Sequence, residues 1–294
     1  MIQLKQLLAA TDLSAPARHA VERAALVAKE SGANLDLLHV ASLAPLEKMR
    51  RLVAEIPAQL EQRVLDAAME ELRELAVVLH EKYRISVSVD ATFGELIREI
   101  DSRAVVNQVG LIVFGAHGAS FVRHLLLGST AERMIGKATR PMLVVKQAAH
   151  ERYRTLLVPV DFSEASLTAI HTALAVAPGA EIILLHVFEV PFEGKLQFAG
   201  IEEDMMQHYR TAAQEEALQR LQLLSDQAGL SRQLSRLIVL HGDPSMHIIE
   251  QEQEQDCDLI VMGRYGERSI EELLLGSVTR QVLAGSQCDV LVSV

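Results

Sequence analysis

Along this chain, short runs rich in Leu, Ile and Val alternate with longer segments of helical periodicity. LDLLHV (Leu35–Val40), the GLIVFG stretch that opens at Gly110, and MLVVK (Met142–Lys146) hold few polar positions. Such runs predict strands buried on both faces, the pattern of parallel sheets. Between them, Ala58–Lys82 and Gln207–Gln227 carry the periodicity of helices. Pro57 and Gly229 are the expected punctuation around those helices. Strand–helix alternation with five strands predicted in each half points to a doubly wound α/β fold. In that architecture ligands lie beyond the carboxyl ends of the strands, near the reversal in strand order.

The whole pattern occurs twice. LLAATDLS (Leu7–Ser14) matches LLVPVDFS (Leu156–Ser163), and LDLLHV matches IILLHV (Ile182–Val187). TFGELIREI (Thr92–Ile100) matches LHGDPSMHII (Leu240–Ile249), and MLVVK matches VLVSV (Val290–Val294). The offset stays between 147 and 149 residues, so the period is that of duplicated domains rather than a solenoid of short repeats. The expected domains are residues 1–147 and 153–294, joined by a linker at 148–152 within the polar stretch Gln147–Arg154. Residues 142–146 and 290–294 are apolar edge strands that would otherwise be exposed. Pairing them with each other predicts a pseudo-two-fold arrangement inside one chain, with a homodimer left open.

Composition narrows the function. No apolar run reaches the ~18 residues of a membrane span, and the first residues lack the form of a signal peptide. Two cysteines, Cys257 and Cys288, cannot form a disulfide framework and fit a reducing cytoplasm. The net charge of −11 is uneven: residues 1–150 carry +1 and residues 151–294 carry −12. No basic block exists, which argues against nucleic acid as a partner.

The candidate chemistry lies in two long stretches, GLIVFGAHGASFVRHLLLGST (Gly110–Thr130) and DLIVMGRYGERSIEELLLGSV (Asp258–Val278). Glycines at a strand end let the backbone turn and let a ligand approach closely. Backbone N–H groups at a following helix start attract phosphate, and Ser129 and Thr130 add hydroxyl donors. There is no GxxxxGK[ST], so this is not a Walker loop. Strand-end turns and a serine helix cap are the purely structural alternative.

On these segments the chain resembles the universal stress protein family. The family's nucleotide signature, G-x2-G-x9-G-[ST], is fitted by Gly115, Gly118, Gly128 and Ser129, and again by Gly263, Gly266, Gly276 and Ser277. The resemblance extends to Asp12 and Asp161 after the first strands and to both LLHV strands. It implies a Rossmann-like α/β sandwich of five parallel strands in each half, and binding of ATP, AMP or ADP, with Mg²⁺ as the accompanying ion. Carried over, Asp12 and Asp161 lie beside the sugar and base, and Val40 and Val187 meet adenine through backbone groups. The motif glycines, with Ser129 and Thr130 or with Ser277 and Val278, hold phosphates. A plain cap or turn role for Asp12 stays open.

The copies differ where phosphate would sit. The second has Glu267, Glu271 and Glu272 around its motif, with Arg264 and Arg268 nearby; the first offers Ser120, Arg123, His124 and His117. Like charges ~6 Å apart at an effective dielectric of ~20 repel by roughly 3 kcal/mol. The first copy is therefore the expected triphosphate site. The second is expected to bind nucleotide more weakly, or to hold AMP, another ligand or nothing. Its aromatic and acidic stretch with Phe198, Met205 and Met206 suits an apolar ligand or a protein partner, with core packing of a helix as the alternative. His39 and His186 read as buried, hydrogen-bonded strand residues. His241 and His247 lack a third metal ligand, so no metal site is assigned. Cys257 and Cys288 precede neighbouring strands, which raises a redox switch against two inert thiols.

Three functions remain: a nucleotide-binding stress-response protein acting through conformation or partners, an interaction scaffold with an acidic second domain, and a slow Mg-dependent ATPase. No catalytic residue is assigned, because no general base with a defined partner stands out.

Overall fold

Strands and helices alternate along the computed structural model, which describes residues 3–44, 59–116, 128–190, 203–265 and 275–294. The chain divides into two compact units, Met1–Arg152 and Tyr153–Val294. The first holds β1 (Gln6–Ala10), α1 (Ala15–Ser31), β2 (Asn34–Ala41), α2 (Leu60–Tyr83), β3 (Val87–Phe93), α3 (Leu96–Val106), β4 (Leu111–Gly115), α4 (Ser129–Gly136) and β5 (Met142–Val145). The second repeats the series with β6 (Thr155–Pro159), α5 (Glu164–Val176), β7 (Glu181–Phe188), α6 (Glu203–Gln227), β8 (Ser235–His241), α7 (Pro244–Glu254), β9 (Leu259–Gly263), α8 (Ser277–Gly285) and β10 (Asp289–Ser293).

In the first unit the strand order is β3-β2-β1-β4-β5, with every pairing parallel. In the second it is β8-β7-β6-β9-β10, again parallel. The chain lays strands to one side of the first strand and then crosses to the other. The reversal thus falls between β1 and β4, and between β6 and β9. A parallel sheet with helices on its faces buries its strands on both sides, and Leu7, Leu8, Leu35, Leu37, Leu111 and Leu143 are at most 1% exposed. Burial of each such leucine stabilises the fold by about 2 kcal/mol.

Local chemistry sets the helix ends. The Ser14 hydroxyl caps α1 by accepting from the Ala17 N–H, Pro16 occupies the first turn, and Gly32 closes the helix at φ 72°. Asp243 caps α7 by accepting from the Met246 N–H, with Pro244 in the first turn. Gly229, at φ 70°, follows α6 as the predicted stop. The helix predicted at Ala58–Lys82 runs over Leu60–Tyr83, and the one predicted at Gln207–Gln227 begins earlier, at Glu203. Glu203 and Asp204 occupy that earlier first turn, where acidic residues suit the helix dipole. Pro57 lies outside the described residues. The last strand is Asp289–Ser293 rather than 290–294, so Cys288 directly precedes it.

Candidate functional site

In each unit the strand end, the following turn and a serine build one device. Past β1, Asp12 Oδ1 accepts from the Ser14 N–H at 3.1 Å and from the Ser14 hydroxyl at 2.5 Å. Past β6, Asp161 Oδ1 accepts from the Ser163 N–H at 3.1 Å and the Ser163 hydroxyl at 2.6 Å. Between aspartate and serine stand Leu13 and Phe162, at φ 64° and 66°. Large side chains in the left-handed region are strained, because Cβ crowds the following carbonyl oxygen. The same strained turn therefore occurs twice, at equivalent positions, beside the reversal in strand order.

A histidine braces each turn from the neighbouring strand. His39 Nδ1 lies 2.9 Å from the Thr11 carbonyl, and His186 Nδ1 lies 2.8 Å from the Val160 carbonyl. A carbonyl only accepts, so Nδ1 carries the proton and Nε2 is left as the acceptor in the neutral ring. Both histidines are half-buried and hydrogen-bonded, matching their reading as strand residues. The pKa of His186 lies below the usual 6.5, first because burial disfavours the charged ring. The unfolded chain then binds a proton that the folded chain refuses, so stability contributed by the neutral ring is full above pH 6.5 and is lost as pH falls below it. Melting curves between pH 5 and 8 are expected to show this decline, and His186→Asn should flatten part of it.

The units differ in what surrounds the aspartate. Asp161 Oδ1 also accepts from the Ser166 hydroxyl at 2.8 Å, and Ser166 Oγ accepts from the Asp161 N–H at 3.0 Å. The first unit has Ala17 at that position, which has no hydroxyl to give. In the second unit the Phe162 ring packs 4.3 Å from His186, and the Arg220 guanidinium lies 4.1 Å from the Phe162 centroid, within cation–π range. Sequence reading missed Leu13, Phe162, Ser14, Ser163 and Arg220. The repeated D-x-S of TDLS and VDFS was the available signal for the serines, whereas Arg220 is distant in sequence and left none.

The glycines lie on the other side of the reversal, at the ends of β4 and β9 and the starts of α4 and α8. Gly115 and Gly263 are the last residues of β4 and β9. A Cβ on Gly263 would lie 3.0 Å from that of Ala165 and 3.2 Å from the Tyr265 carbonyl oxygen. Gly128 and Gly276 cap α4 and α8 with extended backbone. The Gly128 N–H donates to the Ala116 carbonyl at 3.1 Å, and the Gly276 N–H to the Arg264 carbonyl at 3.1 Å. A Cβ on either would approach that same carbonyl oxygen to 3.1 or 3.2 Å. These two positions need glycine for close approach, since neither has a positive φ. In the second unit the Thr279 hydroxyl donates to the Gly263 carbonyl at 3.1 Å and ties helix to strand end.

Val40 and Val187 sit near the ends of β2 and β7, half-buried, opposite Thr92 and Leu240. Ser129, Thr130, Ser277 and Val278 form the first turns of α4 and α8. Gly118, Gly266, His117, Ser120, Arg123, His124, Glu267, Arg268, Glu271 and Glu272 lie outside the described residues. The Arg264 guanidinium sits 4.3 Å from the Tyr265 ring centroid.

Met206 is fully buried, so of the two methionines only Met205 contributes surface; Phe198 lies outside the described residues. His247 Nε2 meets the His241 backbone carbonyl at 3.0 Å, and its Nδ1 faces Glu250 at 2.9 Å. No group of three or more His, Cys, Asp or Glu that could hold a metal occurs among the described residues. Cys257 and Cys288 are both buried. Burial first, and then the Glu252 carboxylate, push the Cys257 thiol up to about 12. A thiol held protonated is a poor nucleophile, which weighs against the redox switch. No described helix is long and apolar enough to cross a membrane.

The fold and its duplication have counterparts among known proteins. The sequence model of the Universal stress protein family matches residues 3–146 and again 152–293. The chain is 33% identical over 143 residues to universal stress protein MJ0531 of Methanocaldococcus jannaschii, covering 48% of this chain and 81% of that one. A universal stress protein of Mycolicibacterium smegmatis is 26% identical over 295 residues, 97% of this chain and 96% of its own length. A solved universal stress protein from Archaeoglobus fulgidus shares the fold, with a TM-score of 0.70 and 22% identity over 99% of both chains. The chain belongs to the universal stress protein family, as a tandem member with two copies of the domain.

Proposed function

We propose that the chain binds an adenine nucleotide at the carboxyl edge of its sheets and acts in a stress response through what binding does to its conformation or partners. The observation that carries this reading is the strained turn kept twice, Asp12-Leu13-Ser14 and Asp161-Phe162-Ser163. Strain of about 1 kcal/mol or more per residue persists where the surroundings hold it in place, and it gathers at ligand sites. Here it presents an aspartate at the reversal in strand order, where α/β sheets bind ligands.

The residues fit a nucleotide. Asp12 is exposed and hydrogen-bonded by Ser14, so its carboxylate is held in place and would be available to a ribose hydroxyl. Val40 offers strand-end backbone to a base. We assign the phosphate cradle to Gly115 and Gly118, with Gly128, Ser129 and Thr130; the tight approach of Gly128 to the Ala116 carbonyl holds the start of α4 close to the end of β4. ATP, AMP or ADP fits this set, and Mg²⁺ would be held chiefly by phosphate oxygens. Asp161, Val187, Gly263, Gly266, Gly276, Ser277 and Val278 form the second cradle. We assign it the weaker triphosphate affinity, since Asp161 is committed to two serines and its unit carries the acidic charge. Two buried thiols fit a cytoplasmic setting.

Leu13→Gly separates this reading from a purely structural one. Glycine removes the left-handed strain but frees the unfolded chain, so net stability is expected to change by less than about 1 kcal/mol. Affinity for ATP in the first unit should nevertheless fall by about tenfold, because Asp12 loses its fixed direction. Calorimetric titration with MgATP beside a thermal melt checks both. Unchanged affinity would show that the turn serves the fold alone.

A further inference from the structure

At the opposite edge of the first unit, away from the nucleotide cradle, a pocket of about 340 Å³ is lined by Gln6, Asn34, Asp36, Ser86, Ser88 and Asn107. Every lining residue is polar, and one is a carboxylate. Asp36 is 8% exposed. It accepts from the Ser88 hydroxyl, and its Oδ2 accepts from the Asn107 amide at 2.8 Å. A carboxylate offers about four acceptor positions, so these two donors leave capacity for more. A buried carboxylate is costly unless it is compensated by charge or hydrogen bonds. None of the lining residues is a cation.

The duplication supplies the comparison. Strand register places Asp36 against Ser88 in the first unit and Ile183 against Arg236 in the second. It likewise aligns Gln6 and Asn34 with Thr155 and Glu181. Asn107 and Gln255 are the equivalent cap residues that end α3 and α7. In the second unit the Arg236 guanidinium fills the place: Nε donates to Glu181 at 2.5 Å, and a terminal nitrogen donates to Gln255 at 2.7 Å. The cap amide accepts there from a cation, whereas in the first unit the corresponding amide donates to a carboxylate. The first unit thus has Asn34 in place of Glu181, carries its negative charge two residues further along β2 at Asp36 in place of Ile183, and has a serine where the arginine would be.

We infer that this pocket binds a small organic cation, a guanidinium or primary ammonium head, which occupies in the first unit the place that Arg236 fills in the second. The hydroxyls of Ser86 and Ser88 and the amide oxygens of Gln6 and Asn34 supply acceptors for the remaining N–H donors of such a head. Asp36 gives the charge-assisted bond that selects a cation over a neutral amide. An anion is disfavoured by the same carboxylate. The volume sits at the small end of ligand pockets, which suits a single charged head with a short stem.

The test uses the full chain and methylguanidinium as probe, with sodium chloride at equal ionic strength as control. Two-dimensional NMR follows the side-chain amides of Asn107, Asn34 and Gln6. Saturable shifts confined to these amides are expected with methylguanidinium and not with sodium. Asp36→Asn should weaken binding about tenfold or more, the usual effect of losing a charged hydrogen bond. Ser88→Arg, which supplies the guanidinium covalently, should abolish probe binding and raise Tm; it keeps the inference falsifiable if Asp36→Asn fails to fold. Absence of saturable shifts, equal shifts in Asp36→Asn, or unaltered probe binding in Ser88→Arg would each show a merely hydrated pocket and overturn the inference. None of these outcomes bears on the nucleotide cradle, because the two sites share no residue.

Discussion

Gly128→Val is expected to lower the ATP affinity of the first unit by about 100-fold or more and to lower stability by about 1–3 kcal/mol. Valine is at ease with the backbone angles here, φ −61° and ψ 141°, so the effect is one of space alone. The new Cβ would stand 3.1 Å from the Ala116 carbonyl oxygen, and the methyl groups beyond it would press closer. The Gly128 N–H bond to that carbonyl, now 3.1 Å, must then stretch or break. Opening this contact moves the start of α4 away from the end of β4 and spreads the proposed phosphate donors apart. A displacement of that kind is costly in a preorganised site. Gly128→Ala should fall between wild type and valine, because one methyl group needs only a few tenths of an ångström. Titration of the three proteins with MgATP, beside their melts, checks the order. Valine and alanine variants that bind as wild type does would show that the contact is packing alone.

The second large effect lies at the other edge of the second unit. Glu252, on α7, is 3% exposed, and its Oε1 accepts from the N–H groups of Gln287 at 2.7 Å and Cys288 at 2.5 Å. It fixes the entry into β10, while its own carbonyl accepts from the Cys257 N–H at 2.9 Å and fixes the entry into β9. Glu252→Ala removes the carboxylate acceptor from a buried turn and leaves a cavity. We expect a loss of about 2–4 kcal/mol, reduced by relief of the buried charge. Glu252→Gln keeps an acceptor oxygen and should lose about 1 kcal/mol. Because the Glu252 charge helps to hold the Cys257 thiol up near 12, Glu252→Gln should also speed alkylation of Cys257 at mildly alkaline pH. Chemical denaturation and timed iodoacetamide labelling measure the two effects. A stable alanine variant with unaltered labelling would contradict this role.

The sequence made the fold readable because the strands are buried on both faces and written as continuous apolar runs, copied at a nearly constant offset. It also put Asp12 and Asp161, Gly115 and Gly263, and Gly128 and Gly276 at strand and helix ends, since a glycine after an apolar run marks a turn. What stayed hidden depends on geometry that spacing does not encode. Leu13 and Phe162 look like ordinary apolar residues, and only their left-handed backbone sets them apart. Glu252 reads as one acid in an acidic helix, although it is buried; its counterpart Ala104 shares the backbone bond, to the Val109 N–H at 2.9 Å, but has no carboxylate to brace the last strand. The pocket around Asp36 draws on three strands and a helix end, so no contiguous motif announces it. Met205 and Met206 left a partner surface and helix core packing both open, because adjacent residues in a chain do not tell which faces inward; α6 buries Met206 and exposes Met205.

The central claim is that the duplicated edge holds nucleotide, more tightly in the first unit than in the second. The most direct measurement is calorimetric titration of nucleotide-free protein with MgATP, for wild type, Gly128→Val and Gly276→Val. A tight site that Gly128→Val removes and Gly276→Val leaves in place, with any second site weaker and lost only in Gly276→Val, is the predicted result. Absence of binding by wild type, or binding that neither valine alters, would contradict the account.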